Sequence, residues 1–417
     1  MNVTEHYYKT VHYDYSFKNR QKETVHYWLA DPPETTTQRN IRCTDGNDIG
    51  QLSTLHGQTI RYVELAPGEK IELSFSIDLY KCTHNHEGNP MERPPTLSDE
   101  ERAFYLRSSA MQPVNEEFKE EALGIIGEAQ SDYDQAKALF DHFVRRFRYH
   151  FPPEKRGARY MAKRKSGDCG EFSFLYASYC RALGIPCRTV VGAWARKMQP
   201  HVWNEVFIEG VGWMPVDTSV PAMYRNPYRR LTSPMAWGVP SKVDGFFGSS
   251  EGNRVAFSLD ANWPLTPEYV DQMSPCGYER MDFGIEKFAY GFEAHDSTAP
   301  YLQPGYVQFQ EMPKKQALPD LLGNWRVRDE GQRRVTQLSL DVFAMLLVLT
   351  LLVSGATALF LDTSFPPEPW YQLTLSFAGA MLILAKLLRQ EGHPAVLVPF
   401  FLFSGFVFYQ SVSVLMS

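Results

Sequence analysis

A cysteine follows Ser-Gly-Asp in the stretch SGDCGEFSFLYASYCRALGIPCR, which runs from Ser166 to Arg188. Asp168 is predicted to cap a helix, with Glu171 three residues later in the spacing of a capping box. Cys169 then begins the helix, where N–H groups lack intrahelical acceptors and the helix dipole is positive. A thiol at that position is expected to have a lowered pKa, and the N–H of Cys169 can hold an oxyanion. The pattern predicts a nucleophile, although a single cysteine is more often a buried, inert thiol.

A base for this thiol is expected in QPHVWNEVFIEGVGWMPVDTS, residues 199–219. Alternating residues predict a strand that carries His201, and EGVG predicts a turn near residue 210. The hairpin would bring His201 opposite Asp217, and a carboxylate on the far ring nitrogen fixes the tautomer of an imidazole. Glu205 would share the face of His201 and is expected to point to solvent. We predict Cys169, His201 and Asp217 as nucleophile, base and orienting group.

Two neighbours of this predicted triad have the size or position to contact a substrate. Gly170 leaves room for a substrate backbone, and Trp203 can form a wall of an acyl-binding slot, so these two are predicted to bind substrate. Trp213 is expected to lie in the core. Cys180 and Cys187 are expected to be packing residues.

The elements that position these residues are visible in the periodicity. Residues 4–80 alternate apolar and polar positions, which predicts a small β-sandwich. Ser131 is expected to cap a helix before residues 187–218 return to the period of strands, and RVAFSLD predicts a further strand near 254–260. Gly184 and Pro186 are expected to end the helix that Cys169 begins. The predicted apolar face of that helix consists of Phe172, Tyr176, Tyr179 and Leu183.

These motifs together resemble the transglutaminase-like superfamily, in its compact microbial branch. The matching pieces are GDCGEFSFLYASYCRALGIPCRTVVG and HVWNEVFIEGVGWMPVDTS. The resemblance implies an α+β fold with a papain-like core after the N-terminal β-sandwich, and acyl transfer through a thioester on Cys169. It implies no metal or cofactor. Animal cross-linking enzymes also use a tryptophan upstream of the cysteine, which this chain lacks between Trp28 and Cys169; Tyr149, His150 and Tyr160 are the candidates to replace it.

Composition excludes some other classes. The net charge of −6 gives no sign of a nucleic-acid partner, and six cysteines without a CxxC pair indicate reduced thiols. Cys82, His84, His86 and Glu87 lie in a linker over residues 82–95, where a solvated turn is favoured over a metal site.

The C-terminal part of the sequence is strongly apolar. Val342–Leu361, Trp370–Leu388 and Ala395–Leu415 each approach the roughly 20 residues that cross a bilayer. They predict three transmembrane helices, and basic residues near their ends predict a multi-pass membrane protein with a cytoplasmic catalytic domain and the C-terminus on the opposite side. A bilayer, and a membrane-protein partner, are then expected beside a protein or peptide substrate.

The predicted domains are an N-terminal β domain (1–95), a transglutaminase-like core (96–293), a juxtamembrane linker (294–337) and the transmembrane region (338–417). Three functions are considered, and the intact triad argues against the third. The first is a membrane-anchored cysteine peptidase or amidase, the second an amine acyltransferase that cross-links proteins, and the third a non-catalytic membrane scaffold. Hydrolysis is favoured because a site open to water resolves the thioester.

Overall fold

The structure is a computed structural model that describes residues 2–85, 95–151, 153, 155–195, 199–269, 298–300, 302–310, 323–329, 373, 375–383 and 394–416. The chain divides into two compact units. The first comprises Met1–Leu231 and Gly238–Asp329, and the second comprises Thr232–Trp237 and Glu330–Ser417. All of the predicted site residues belong to the first unit.

The N-terminal β region is present as predicted. Its strands are β1 (Asn2–Lys18), β2 (Val25–Ala30), β3 (Gln38–Asp45), β4 (Gln51–Leu55), β5 (Gln58–Leu65) and β6 (Lys70–Asn85). Strands β1 and β6 pair antiparallel along almost their whole length, with Val11 opposite Ile77. The alternating apolar residues of β1, β2 and β6 are buried in one cluster, because side chains two apart face the same side of a strand.

The α+β core follows in the chain. Its helices are α1 (Asp99–Leu106), α2 (Glu116–Ile126), α3 (Asp132–Arg146), α4 (Ala158–Arg164), α5 (Cys169–Ala182), α6 (Ser219–Met223) and α7 (Pro227–Trp237). Its strands are β7 (Arg148–Tyr149), β8 (Ser166–Gly167), β9 (Cys187–Trp194), β10 (Pro200–Ile208), β11 (Gly212–Val216), β12 (Ser249–Ser250), β13 (Arg254–Leu259), β14 (Trp263–Pro264) and β15 (Thr298–Ala299). One antiparallel sheet in the order β11-β10-β9-β13 forms the centre.

Two later strands return to the β region. Strand β16 (Gly305–Gln308) pairs with β2, and β17 (Asn324–Asp329) pairs with β1. The completed sheets have the orders β12-β6-β1-β17, with β3 also on β6, and β16-β2-β5-β4. The sequence did not indicate these pairings, since partners more than 250 residues apart leave no local pattern.

Helix α5 has the predicted ends. The Asp168 carboxylate accepts a hydrogen bond from the Gly170 N–H at 2.8 Å, and the Glu171 carboxyl group meets the Asp168 N–H at 3.3 Å, which completes the capping box. Gly184 follows the helix with φ +84°, a conformation that glycine adopts without strain. Asn204 Nδ2 donates to the Ser173 carbonyl at 3.0 Å and joins α5 to β10. These contacts confirm the helix that begins at Cys169.

Strand β13 lies at one edge of the central sheet, beside the N-terminal β region. The Gln38 side chain both donates to the Ala256 carbonyl at 3.0 Å and accepts from the Ala256 N–H at 2.9 Å. Gln58 Oε1 accepts from the Leu259 N–H at 2.9 Å. Two buried amide side chains thus occupy backbone groups of β13 that no strand of the described residues pairs with on that side.

A buried charge cluster fixes the far end of α5 to the sheet. Asp260 accepts from Arg181 Nη2 at 2.6 Å and from Arg107 Nη1 at 2.7 Å, and it is 1% exposed. Burial alone would raise the pKa of Asp260, but the two guanidinium groups bring it below its usual value. The carboxylate is therefore ionised and balances two cations, the buried Arg181 and the partly exposed Arg107.

The prediction of three membrane-spanning helices is wrong. The first predicted span, Val342–Leu361, lies outside the described residues, and the second is described only at residue 373 and over 375–383. The third falls within helix α8 (Pro394–Met416). In the described part of the chain, no helix has the length and apolarity that crossing a membrane requires, which contradicts both the spans and the multi-pass location.

We expect Asp260→Asn to lower the free energy of unfolding by about 3–5 kcal/mol, because it leaves the buried Arg181 and the partly exposed Arg107 without their shared counter-charge. Asp14→Asn is the matched control, since Asp14 holds Arg328 by two hydrogen bonds of similar length on the surface. That exposed pair is expected to contribute about 1 kcal/mol or less. Urea unfolding followed by circular dichroism measures both. Equal losses in the two variants would show that the buried cluster does not stabilise the fold.

Candidate active site

His201 and Asp217 are brought together by the hairpin of β10 and β11. Asn204 lies opposite Val216 in this ladder, so His201 extends past the end of β11 towards the residue that follows it. His201 Nε2 lies 2.7 Å from Asp217 Oδ2, and both side chains are buried. When the Nε2–H of the imidazole donates to the carboxylate, Nδ1 stays available for a second partner.

The Asp217 carboxylate is saturated with donors. Its Oδ1 accepts from the Ser219 N–H at 3.0 Å, the Ser219 hydroxyl at 2.9 Å and the Val220 N–H at 3.2 Å. Its Oδ2 accepts from Arg254 Nη1 at 2.8 Å as well as from His201. Burial alone would raise the pKa of Asp217, but His201, Arg254 and the Ser219 hydrogen bond hold it well below the usual value. Asp217 is thus an anion throughout the physiological range.

Cys169 lies at the first position of α5, beside strand β10. The backbone N–H of Val202, the residue after His201, is directed at the Cys169 sulfur. Asp168 accepts from the N–H groups of Gly170 and Glu171, and none of the described residues accepts from the N–H of Cys169. That N–H points out of the helix end, where it can donate to an oxygen of a bound substrate.

The charge state of the Cys169 thiol differs from the expectation. Burial raises its pKa well above the usual value and the Asp168 carboxylate raises it further, while Arg156 and the Val202 N–H lower it. The expected lowering by the helix end is therefore outweighed by loss of water and by the capping anion. In the resting site this thiol needs a base to remove its proton, although the side chain keeps partial contact with solvent.

Arg156, Asp168 and Glu171 form a buried charge cluster beneath the cysteine. Arg156 Nη1 lies 2.8 Å from both oxygens of Asp168 and 3.0 Å from Glu171 Oε2. Burial raises the pKa of Glu171 well above its usual value, and the neighbouring Asp168 adds to this. Burial would also raise the pKa of Asp168, but Arg156 and the hydrogen bond with Glu171 bring it below its usual value. Glu171 is then neutral and Asp168 is the anion that balances Arg156.

Aromatic rings enclose the imidazole of His201. Its ring stacks on Trp194 with centroids 4.4 Å apart and lies 6.1 Å from the Trp203 ring at an angle of 17°. Gly192 pairs with His201 across β9, and a Cβ there would approach the Val255 carbonyl to 2.0 Å, so only glycine permits the close contact of β13. The rings fix the plane of the imidazole.

The two predicted substrate-binding residues lie beside the triad but inside the protein. Trp203 is 3% exposed and packs in an apolar cluster with Trp28, Val190 and Leu259. Gly170 is also buried, and a Cβ there would come within 3.2 Å of Arg156 and Asp168. A role of either residue in substrate binding stays a prediction.

Glu205 does not face solvent as expected. It is fully buried and holds Arg188 through Oε2, with the Arg188 Nε at 2.8 Å. The Arg188 guanidinium lies 4.2 Å above the Trp213 ring, and Trp213 keeps partial exposure. Strand alternation identified the face of Glu205 correctly but could not show that the N-terminal β region covers that face.

Tyr149 is the one of the three proposed oxyanion donors that approaches the triad. Strands β7 and β8 pair in parallel with Tyr149 beside Gly167, two residues before the cysteine. Burial raises the pKa of Tyr149 far above its usual value, with further contributions from Cys169, Asp168 and Asp217. No described residue hydrogen-bonds to its hydroxyl group, which is therefore available to a ligand. The backbone N–H of His150 also donates to the Gly167 carbonyl, at 2.8 Å, but it is the Tyr149 phenol whose pKa is affected by Cys169.

Among the described residues, no three His, Cys, Asp or Glu side chains are grouped so as to hold a metal ion. Cys82 and His84 lie in β6, whereas His86 and Glu87 lie outside the described residues.

Comparison with known proteins identifies the core. Residues 119–218 match the transglutaminase-like superfamily. This segment is similar to transglutaminase-like domains. It contains α5 and the β9–β11 sheet with Cys169, His201 and Asp217, and the match supports a cysteine-based enzyme.

Individual relatives are more distant. A peptide-N(4)-(N-acetyl-beta-glucosaminyl)asparagine amidase from Yarrowia lipolytica is 29% identical over 119 residues, which is 28% of this chain and 28% of the relative. A candidate cysteine protease from Cytophaga hutchinsonii has a TM-score of 0.40 at 16% identity, over 62% of this chain and 89% of that one. The periplasmic domain of TgpA from Pseudomonas aeruginosa has a TM-score of 0.32 at 17% identity, over 49% and 73%. Matches this partial or weak do not transfer an activity to the transglutaminase-like domain.

The charge assignment beneath the cysteine gives a prediction for stability. Glu171→Gln is expected to change the free energy of unfolding by less than about 1 kcal/mol, because Gln replaces a neutral carboxyl group and keeps a donor and an acceptor. Asp168→Asn retains a capping side chain but removes the anion that balances Arg156, so the buried Glu171 must ionise in its place, and we expect a loss of about 3 kcal/mol. Denaturant unfolding at neutral pH compares them. A loss in Glu171→Gln as large as in Asp168→Asn would place the negative charge on Glu171.

Proposed function

We propose that this protein is a cysteine hydrolase that cleaves a peptide or amide bond through a thioester on Cys169. The observation that carries the proposal is the hydrogen bond of 2.7 Å between His201 Nε2 and the ionised Asp217. This hydrogen bond directs Nδ1 of His201 away from the carboxylate. Val202 is the next residue in the chain, and its backbone N–H is directed at the Cys169 sulfur. A nucleophile, a base and an orienting anion are thereby available in one site.

The proposed reaction has two halves. His201 Nδ1 takes the proton of the Cys169 thiol as the sulfur attacks the substrate carbonyl carbon, and the imidazolium is stabilised by Asp217. The imidazolium then protonates the departing amine as the carbon–nitrogen bond breaks, which leaves a thioester. In the second half, a water molecule loses its proton to His201 and attacks the thioester. The carbon–sulfur bond breaks, and the thiol regains its proton as the carboxylic acid departs.

The negative charge that develops on the substrate oxygen needs donors. The N–H of Cys169 supplies one at the end of α5, where the helix dipole adds to its effect. The Tyr149 hydroxyl supplies the second, in place of the tryptophan of animal cross-linking enzymes. The high pKa of this phenol keeps it protonated, so that it can donate at any working pH.

Water is the favoured acceptor of the acyl group. Cys169 keeps partial exposure in the resting site, so that water reaches the thioester carbon. Transfer to an amine would require a site that excludes water. The substrate class of peptides and amides agrees with the name of the Yarrowia lipolytica relative, an amidase.

Replacement of Cys169 by Ala is expected to abolish turnover and covalent labelling. A defined mixture of peptides is incubated with the full chain and a dansylated primary amine, and mass spectrometry compares new peptide termini with amine adducts. New termini in excess of adducts are expected, and Cys43→Ala serves as the control because Cys43 is also a partly exposed thiol. Unchanged cleavage in Cys169→Ala would refute the nucleophile, and adducts in excess would assign the protein to amine transfer.

Tyr149→Phe is expected to lower kcat on a cleaved peptide by about 100-fold with little change in KM, because the lost hydrogen bond forms only in the transition state. Tyr160→Phe removes the same hydroxyl from helix α4 and is expected to retain the activity of the unmodified chain. Steady-state kinetics on both variants provides the measurement. A large loss in Tyr160→Phe with none in Tyr149→Phe would assign the donor to the other tyrosine.

A further inference from the structure

Arg254 has a place in the site that the proposed reaction does not use. It begins β13, opposite Trp194 of β9, and is 5% exposed. Its Nη1 donates to Asp217 Oδ2 at 2.8 Å, the same oxygen that His201 contacts. Two potential cations thus share one carboxylate oxygen in a buried site.

The rest of the guanidinium is held as firmly. Arg254 Nε donates to Glu251 Oε1 at 2.8 Å and Nη2 donates to Glu251 Oε2 at 3.2 Å. Its plane lies 4.7 Å from the Trp194 ring and 5.5 Å from the Trp203 ring, the two rings that also flank His201. A planar, always charged group with a fixed set of donors suits this enclosure, whereas the flexible ammonium of lysine would not reproduce it.

From this geometry we propose that Arg254 is a positioning residue that acts through Asp217 to keep the His201 imidazole neutral, and so able to accept the thiol proton. The inference rests on the proposed function of His201 as a base. Asp217 alone would favour the imidazolium, because an opposite charge within hydrogen-bond distance stabilises the charged form. Arg254 offsets that effect with a positive charge on the same oxygen, and Glu251 reduces the offset from the other side.

Each charged neighbour then has an effect of defined sign on the protonation of the imidazole. Loss of Arg254 leaves two carboxylates to favour the imidazolium, whereas loss of the Glu251 charge strengthens the opposition from Arg254. Loss of the Arg254 and Glu251 charges together returns the equilibrium between imidazole and imidazolium close to that of the unmodified protein. The titratable and charged groups that face His201 and its carboxylate from the described elements are Cys169 of α5, Tyr149 of β7, Asp217 after β11, Tyr224 after α6, Glu251 between β12 and β13, and Arg254 at the start of β13.

The test measures the imidazole itself. The full chain is labelled with ¹⁵N-histidine, and the His201 signal is assigned by its loss in His201→Gln. We expect the midpoint of its titration to rise by about one pH unit in Arg254→Met and to fall by a similar amount in Glu251→Gln. In the double variant it should return close to that of the unmodified protein, and Arg254→Lys should give an intermediate rise.

The outcomes separate this inference from the proposed reaction, because the titration uses no substrate and no thioester. A midpoint unchanged in a folded Arg254→Met variant, or an unchanged or raised midpoint in Glu251→Gln, would overturn the inference even if Cys169 is the nucleophile. Should Arg254→Met fail to fold, Glu251→Gln still decides the sign, since it keeps the guanidinium. The expected pattern of midpoints with an active Cys169→Ala variant would refute only the proposed function.

Discussion

The arrangement of the site depends on keeping one carboxylate, Asp217, ionised inside the protein. A buried anion is costly unless nearly all of its lone pairs are occupied. Here three donors from Ser219 and Val220 hold one oxygen, and a side chain from each of two strands holds the other. The direction of the imidazole, and hence any chemistry at Cys169, follows from that saturated carboxylate.

Positioning of the site is distributed over the whole first unit. Helix α5 carries the cysteine and is fixed at one end by Arg156, Asp168 and Glu171 and at the other by Arg181 and Asp260. The two clusters differ in one respect: Asp260 is a single anion between two cations, whereas the Arg156 cluster has one charge of each sign and a neutral acid. Both clusters hold helix α5, whose N-terminal residue Cys169 contacts β10.

The sequence allowed prediction of what is local. The capping box of α5, the Ser131 cap of α3 and strand β13 were all visible as short patterns, because the interactions that specify them span a few residues. Arg254 and Arg156 were missed, since each is defined by partners that only the fold brings near, and an arginine at a strand start carries no signal of its own. Glu205 was placed on the correct face and given the wrong surroundings. The apolar C-terminal segments were misinterpreted because composition alone does not show whether a helix long and apolar enough to cross a membrane forms.

The side-chain amides of Gln38 and Gln58 have a consequence for how this protein can be divided. They satisfy backbone groups along the open edge of β13, the strand that also carries Arg254. A fragment cut after the N-terminal sheets would present that bare edge to solvent, and exposed edges recruit other chains into intermolecular sheets. The N-terminal sheets therefore cover an edge of the core that would otherwise be open to other chains. Shortening the chain from its N-terminal side is expected to lower solubility and promote aggregation.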